Sequence, residues 1–181
     1  MKAIYYGDTN IGNIRPKNED AFVLKEIWGG THLIAVCVDG VGGNGAGDVA
    51  ANLACKCITD YFNDLNIQTD CLESLISAVR FANNTICSEH YIPYLSQMSC
   101  VLTAALINLE TGQMDVCHVG DTRLYILKDE VFTQITHDHS LIGVMKESGQ
   151  ISEDAAMRHP RRNIITRSIG KEILYDDSGY I

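Results

Sequence analysis

The sequence predicts an α+β fold in which helices cover the faces of antiparallel sheets. Segments rich in β-branched and aromatic residues occupy the first third of the chain, at 3–8, 20–28 and 32–39. Two stretches with apolar residues at helical spacing follow, at 47–65 and 70–89. Strand patterns then return, and a polar helical stretch begins after Ser140. This order fits poorly with a strictly alternating βαβ fold.

Each later element has its own pattern. The first helix has an apolar face made by Val49, Leu53, Ala54, Cys57, Ile58 and Phe62. The second helix has one made by Leu72, Leu75, Ile76, Val79 and Ile86. The strands "VLTAALINL" and "MDVCHV" flank the turn "ETGQ", and the strands "RLYILK" and "VFTQI" flank the turn "KDE". These spacings predict two antiparallel hairpins.

The bulk composition bounds the size and the partners of the protein. A chain of 181 residues, 46% hydrophobic and 20% charged, predicts one domain over residues 1–181. The formal net charge of -9 argues against binding to nucleic acid or to an anionic membrane as the main task. An acidic surplus is also compatible with carboxylates that bind a metal.

The cysteines and the N-terminus indicate the compartment. The seven cysteines are an odd number without a C-x-x-C pair, and several lie in apolar runs. This favours buried thiols over zinc ligands or disulfides. The N-terminus "MKAIYYGDTN" shows no signal peptide, and the apolar run "LIAVCV" is too short to span a bilayer. We therefore expect a reducing, cytoplasmic location.

The most informative short stretch is "AVCVDGVGGNGAGDVAA", residues 35–51. Asp39 ends an apolar strand, and Gly40, Gly42 and Gly43 follow it. Without Cβ atoms, backbone carbonyls there can approach a cation closely. An oxygen-only ligand set without Cys or His in zinc spacing suits Mg²⁺ or Mn²⁺.

Two other readings of the glycine turn fit less well. A phosphate-binding P-loop needs a lysine directly after its last glycine, and the next lysine here is Lys56. A dinucleotide-binding fingerprint requires loose spacing and a βαβ unit, which the element order does not provide. Asp20, Asp121 and Asp138 also lie at strand ends, although any one of them alone could be a turn residue.

Five motifs, in order along the chain, resemble those of one family. They are "GNIRPKNEDAF", "VDGVGGNGAGDVAA", "CHVGDTRLYIL", "ITHDHSLIGVMKESGQIS" and "HPRRNIITRSIG". The chain resembles the metal-dependent PPM protein phosphatases (the type 2C serine/threonine phosphatases) in their bacterial form. The resemblance implies a four-layer α-β-β-α fold, an antiparallel β-sandwich flanked by helices. It also implies a flap-like segment at about 140–165.

The resemblance assigns metal ligands residue by residue. It implies that Asp20 and Asp39 hold two Mn²⁺ or Mg²⁺ ions, with Asp39 bridging both. The Gly40 carbonyl would complete one coordination sphere, and Glu19 would act through a metal-bound water. Asp121 corresponds to a position that helps to bind a third, weaker ion near the flap.

The resemblance also implies the reaction. Arg15 corresponds to the arginine that binds the substrate phosphate, and a planar guanidinium can contact two phosphoryl oxygens. Two divalent ions would activate a water that attacks phosphorus in line. Val41 lies where some relatives have a histidine proposed as the general acid, so water would donate that proton. His139 is expected to be a structural hydrogen-bonding residue rather than an acid catalyst.

The end of the chain departs from the resemblance. Relatives continue into a T-D-G-L strand and a D-N pair that supply two more ligand aspartates, whereas this chain ends with "KEILYDDSGYI". Asp176 and Asp177 do not follow an apolar strand and are not assigned as ligands. The expectation is a domain that lacks its C-terminal strands through truncation, frameshift or natural shortening, or one completed by a partner.

The sequence therefore leaves more than one function open. The first is a phosphatase for phosphoserine and phosphothreonine in proteins, with the substrates of a serine/threonine kinase as its expected targets. It would be a monomer unless a partner supplies the missing strands. The second is a non-catalytic, PPM-like regulatory or phosphoprotein-binding module that binds metal weakly. A remote third is a Mg²⁺-dependent phosphohydrolase acting on small molecules.

Overall fold

The computed structural model describes residues 3–41, 46–66 and 70–171. Within these ranges the chain forms six strands and four α-helices. In chain order they are β1 (Asp20–Ile27), β2 (His32–Val41), α1 (Gly47–Asp64), α2 (Cys71–Ser88), β3 (Ser99–Asn108), β4 (Met114–Val119), β5 (Tyr125–Lys128), β6 (Val131–Gln134), α3 (Leu141–Glu147) and α4 (Glu153–Arg158).

The strands form two antiparallel sheets. β1, β2, β3 and β4 lie side by side in that order, and β5 pairs with β6 in a separate two-stranded sheet. The turn between β3 and β4 and the turn between β5 and β6 are the two predicted hairpins. The register of β1 and β2 sets Asp20 directly opposite Asp39.

The core lies between the four-stranded sheet and the helices α1 and α2. Along β2, Ile34, Val36 and Val38 are buried in this core, whereas Cys37 and Asp39 belong to the other face of the sheet. This alternation follows from the two-residue period of a strand. Burying an aliphatic side chain of this size contributes roughly 1.5–3 kcal/mol, so this face accounts for much of the stability.

The predicted α+β class is confirmed, with α1 and α2 covering one face of the antiparallel four-stranded sheet. Both predicted long helices form, over Gly47–Asp64 and Cys71–Ser88. The α2 helix begins after Asp70, whose side chain accepts a hydrogen bond from the backbone N–H of Glu73. Such a cap satisfies one of the free N–H groups of the first turn.

The predicted strand at 3–8 is wrong. This segment has no strand pairing, and the side chains of Ile4 and Tyr6 are largely exposed. It lies across the side chains of β1 instead, because a Cβ atom on Gly7 would come within 2.6 Å of the Phe22 ring. Tyr5 donates a hydrogen bond from its hydroxyl to Glu26. High β-propensity alone therefore did not produce a strand.

The segment after α4 returns to the sheet and to α2. An antiparallel bridge joins Ser140 to Ile165, and a second joins Cys100 to Ile169. The side chain of buried Asn83 accepts from the Gly170 N–H at 2.8 Å and donates to the Lys171 carbonyl at 3.2 Å. The predicted flap segment, at about 140–165, thus contains α3 and α4 and is closed at its base by the first bridge.

Among the described residues, none of the helices combines the length and the hydropathy needed to cross a membrane. None of the seven cysteines, all of which lie in the described ranges, forms a disulfide, and four of them are buried: Cys55, Cys57, Cys100 and Cys117. Burial raises the pKa of the Cys55 and Cys117 thiols to about 12. These four thiols therefore act as small apolar side chains.

Candidate active site

A pocket of about 520 Å³ lies where β1 begins and β2 ends. It is lined by all of the residues to which the sequence analysis assigned a site role: Arg15, Glu19, Asp20, Asp39, Gly40 and Asp121. Its remaining lining residues are Asn10, Ile11, Lys17, Asn18, Val41, Asn163 and Ile165. Residues far apart in the sequence thus meet at one edge of the sheet.

Asp20 and Asp39 form the acidic centre of the pocket. They are cross-strand partners on the same face of the sheet. The pKa of Asp39 is raised to about 6, chiefly by burial, then by the charges of Asp20 and Asp121 and by a hydrogen bond with Asp20. The Arg15 charge acts in the opposite direction but is the smallest of these effects. Negative charge is therefore in excess here, and a bound cation would relieve it.

The backbone beside Asp39 is packed too closely for any side chain. The Gly40 N–H donates to the Glu19 carbonyl at 3.0 Å. A Cβ atom on Gly40 would lie 2.2 Å from the carbonyl oxygen of Gly47, the first residue of α1. Gly40 is thus required where β2 meets the start of α1. Gly42 and Gly43, which the sequence analysis grouped with it, lie outside the described residues.

Glu19 and Arg15 lie at the rim of the pocket. An Arg15 guanidinium nitrogen is 3.8 Å from a Glu19 carboxylate oxygen, and the Arg15 side chain is 76% exposed. A loose, exposed ion pair of this kind contributes little to stability. Arg15 can therefore turn to an anionic ligand at small cost.

Asp121 lines the pocket from the loop after β4. Its pKa is raised, first by burial and then by the charge of Asp138. Asp138 itself is paired with Arg123 through two hydrogen bonds, of 2.9 Å from Nε and 2.5 Å from the terminal nitrogen. Asp138 is therefore engaged by Arg123, and of these two carboxylates only Asp121 lines the pocket.

His139 positions the backbone next to Asp121. The backbone N–H of His139 donates to the Gly120 carbonyl at 2.7 Å. In return, the backbone N–H of Gly120 donates to the ring nitrogen Nδ1 of His139 at 3.1 Å. Burial, His118 and Arg167 lower the pKa of His139 to about 4. The ring is therefore neutral at pH 7, with its Nδ1 lone pair occupied. His139 thus makes the hydrogen bonds that a structural role requires.

The structure also brings in residues to which the sequence analysis gave no role. Asn18 accepts a hydrogen bond from the Asp20 N–H at 3.1 Å and donates to Thr9 at 2.9 Å, so it shapes the turn that enters β1. Lys17 forms an ion pair of 2.6 Å with Asp48 in the first turn of α1. Asn18 and Lys17 both lie in the motif "GNIRPKNEDAF". Their position in this motif could have indicated that they lie near the site.

The pocket fits a hard divalent cation in its chemistry. Its acidic donors are carboxylate oxygens, which Mg²⁺ and Mn²⁺ prefer. Within residues 3–41, 46–66 and 70–171, no three His, Cys, Asp or Glu side chains are already spaced to hold a metal. The pair formed by Asp20 and Asp39 is thus the core of the candidate site. Asp176 and Asp177 lie outside the described residues.

Comparison with known proteins decides the family. The family described as Protein phosphatase 2C matches residues 7–174. The chain belongs to the protein phosphatase 2C family. This agrees with the five sequence motifs and with the pocket, which is lined by residues from four of them.

Bacterial members of the protein phosphatase 2C family are similar in sequence and in structure. The serine/threonine phosphatase stp of Listeria monocytogenes is 34% identical over 172 residues, covering 91% of this chain and 66% of the relative. The crystal structure of the Mycobacterium tuberculosis serine/threonine phosphatase PstP superposes with a TM-score of 0.76 at 32% identity, covering 90% of this chain and 66% of that one. The chain thus spans slightly less than two thirds of these relatives.

A further structure in this family contains metal. It is the catalytic domain of PstP in complex with two manganese ions, and it superposes with a TM-score of 0.73 at 30% identity. The match covers 88% of this chain and 63% of that one. Manganese in a related protein is consistent with the oxygen-rich pocket described above.

Proposed function

We propose that this chain is a metal-dependent protein phosphatase that hydrolyses phosphoserine and phosphothreonine in proteins. The observation that carries the proposal is the single pocket that unites Arg15 with Asp20 and Asp39. A phosphate ester needs positive charge on its oxygens and an activated water near phosphorus. The pocket has residues suited to both requirements.

The metal ligands in this proposal are Asp20, Asp39 and the Gly40 carbonyl, with Glu19 acting through water and Asp121 beside a third, weaker site. When bound, Mn²⁺ or Mg²⁺ would lower the pKa of a water and neutralise phosphoryl charge. Without a cation, burial and the charges of Asp20 and Asp121 raise the pKa of Asp39 to about 6. The raised pKa of Asp39 thus supports a role for this pair in holding a cation.

Arg15 binds the phosphoryl group in this proposal. Its side chain is exposed and lies at the rim of the pocket, close enough to Asp39 to affect the pKa of that carboxyl. No Ser, Thr, Cys or His side chain lines the pocket in the described part of the chain. This supports direct transfer of the phosphoryl group to water. Val41 is apolar, so solvent returns the proton to the leaving group.

The substrate and setting are part of the same proposal. An exposed Arg15 can reach a phosphorylated side chain on a protein surface. We infer that the substrates are phosphoproteins made by a serine/threonine kinase and that the chain acts in signalling in the cytoplasm.

The decisive test is hydrolysis of p-nitrophenyl phosphate and of a phosphothreonine peptide in the presence of Mn²⁺. Asp39→Asn should lower kcat by at least about 100-fold, since loss of one preorganised charged group costs this much in other active sites. The control is Asp64→Asn, which changes an exposed carboxylate at the end of α1. Equal activity of wild type and Asp39→Asn would refute the proposal.

A second candidate is a regulatory module that binds phosphoproteins without hydrolysing them. The observation that favours it is that the described carboxylates do not form a cluster of three spaced for a metal. Calorimetric titration with Mn²⁺ separates the two functions. Two tight sites support the phosphatase, whereas one weak site together with undetectable turnover supports the module.

A further inference from the structure

A cysteine and a histidine are paired at the end of β2 opposite to the active site. Cys71 Sγ, in the first turn of α2, lies 3.9 Å from Nε2 of His32, the first residue of β2. Asp39 is seven residues further along the same strand, or roughly 23 Å at the usual rise. The pair is therefore separate from the candidate active site.

The hydrogen bonds around His32 determine which ring nitrogen faces the cysteine. The Thr31 hydroxyl donates to the Trp28 carbonyl at 3.0 Å, which uses its only proton. Thr31 Oγ1 must therefore accept its second bond, of 2.9 Å, from His32 Nδ1–H. The Nε2 lone pair of His32 is thus directed at Cys71.

The ring of His32 is fixed in this orientation. The side chain is 4% exposed, and the Trp28 ring packs edge-on against it with centroids 4.9 Å apart. Metal-binding histidines typically donate their other ring N–H to an oxygen in this way. In His32 the Nδ1–H already donates to the Thr31 hydroxyl oxygen, so the ring is oriented before any ion is bound.

The separation of sulfur and nitrogen matches a pair of metal ligands. In tetrahedral zinc sites, Zn–S is about 2.3 Å and Zn–N about 2.0–2.1 Å, which sets the two ligand atoms roughly 3.6 Å apart. The observed 3.9 Å therefore needs only a small adjustment. Within the described ranges no third His, Cys, Asp or Glu completes a cluster, so solvent would fill the other positions.

The surrounding charges favour a cation. The negative charge of Asp115 acts to raise the pKa of both His32 and Cys71. Glu110 has the same effect on His32, and Asp70 has it on Cys71. Asp115 is paired with Leu106 across β3 and β4, and Leu106 belongs to the core on the helix side of the sheet. Asp115 therefore faces the same layer as α2, and its charge would attract a metal ion to this layer.

The protonation states distinguish metal binding from thiol reactivity. Burial, Asp115 and Asp70 raise the pKa of Cys71, and burial lowers the pKa of His32. A thiol with a raised pKa is a poor nucleophile, because little thiolate forms. A bound cation instead displaces the thiol proton, and neutral imidazole is the form that binds metals.

We propose that Cys71 Sγ and His32 Nε2 form a separate site for one thiophilic divalent cation of the zinc class. The ion would join the start of α2 to the start of β2 and stabilise this end of the domain. The proposal does not depend on phosphatase activity, because it uses none of the residues of the active-site pocket.

Titration with Co²⁺ tests the site directly. Thiolate bound to Co²⁺ gives a charge-transfer band in the near ultraviolet, which carboxylate ligands at the active site do not produce. We expect this band in the wild type, its loss in Cys71→Ser, and its retention in Cys87→Ser, a matched change of another partly exposed cysteine. Added Zn²⁺ should remove the band by displacing Co²⁺.

Thr31→Val provides a variant that keeps both ligands. It removes the acceptor that orients His32, and it should weaken Co²⁺ binding by about 10-fold or more. Circular dichroism of each variant without metal checks its fold. The proposal is overturned if the folded wild type shows no band at millimolar Co²⁺, if Cys71→Ser retains the band, or if Zn²⁺ does not displace Co²⁺.

Discussion

Asp39 lies directly opposite Asp20 across β1 and β2, and a hydrogen bond between the two carboxyls helps to raise the pKa of Asp39 to about 6. Without metal, the folded protein binds more protons at Asp39 than the unfolded chain does between pH 4 and pH 6. The contribution of Asp39 to folding therefore becomes less favourable as pH rises through this range and levels off above it. We predict that Asp39→Asn removes this part of the pH dependence.

Urea unfolding of metal-free protein from pH 4 to pH 7 measures the effect. The free energy of unfolding of the wild type minus that of Asp39→Asn should fall as pH rises. The difference isolates Asp39, because both proteins contain the other titrating groups. Asp64→Asn serves as the control and should run parallel to the wild type. A difference for Asp39→Asn that stays constant with pH would contradict the assigned pKa.

Local patterns predicted most of the secondary structure. The helical spacing at 47–65 and 70–89 and the hairpins around "ETGQ" and "KDE" have counterparts in the structure. These features depend on residues close in the sequence, so a short window contains their determinants. The segment 3–8 did not follow this rule: its backbone pairs with no strand, and Gly7 packs on the side chain of Phe22 instead.

The site residues could be chosen from the sequence, but their geometry could not. Asp39 and its glycines indicated an oxygen-rich site, and the family resemblance added Arg15 and Asp121. The register that sets Asp20 opposite Asp39 depends on long-range strand pairing. The pairing of Arg123 with Asp138 also joins two loops that no local pattern connects.

Gly40→Ala should disrupt the junction of β2 and α1. The new Cβ atom would lie 2.2 Å from the Gly47 carbonyl oxygen, so one backbone must move. We expect a loss of about 1–3 kcal/mol in the free energy of unfolding, together with loss of phosphatase activity. Gly112→Ala is the control: it has positive φ but open space around it, and it should cost about 1 kcal/mol. Equal thermal stability of the two variants would argue against this packing.

His139→Ala should destabilise the loop that contains Asp121. The change leaves the Gly120 N–H without its acceptor, which costs about 1–3 kcal/mol at pH 7. The lowered pKa of His139, about 4, means that the unfolded chain binds the extra proton first as pH falls below 6.5. The wild type should therefore lose stability between pH 7 and pH 5, on the order of 1 kcal/mol after allowance for screening.

Denaturant unfolding of His139→Ala at pH 7 and pH 5 checks both effects. At pH 7 the variant should have a lower free energy of unfolding than the wild type. On acidification to pH 5, however, it should lose less stability than the wild type does. His137→Ala is the control, since its side chain is 80% exposed. An identical pH response in wild type and His139→Ala would show that His139 is not held neutral by the fold.

Arg15→Ala should weaken substrate binding without affecting the fold. The side chain is 76% exposed, and within the described residues it forms one loose ion pair, of 3.8 Å, with Glu19. Thermal stability should therefore change little. Loss of a two-point contact to phosphate should lower kcat/KM for a phosphothreonine peptide by about 10-fold or more. Arg15→Lys should recover part of this loss, since lysine retains the charge but not the planar fork.

The kinetic pattern distinguishes phosphate binding from a general electrostatic effect. If Arg15 binds phosphate, the KM for the peptide should rise in Arg15→Ala at both low and high salt. Lys56→Ala removes an exposed charge from α1 that is paired with Asp60 and does not line the pocket, and it should leave KM unchanged. A KM shift that is equal in the two variants, or that disappears at high salt, would assign Arg15 to long-range steering, because screening removes effects between exposed charges beyond about 10 Å.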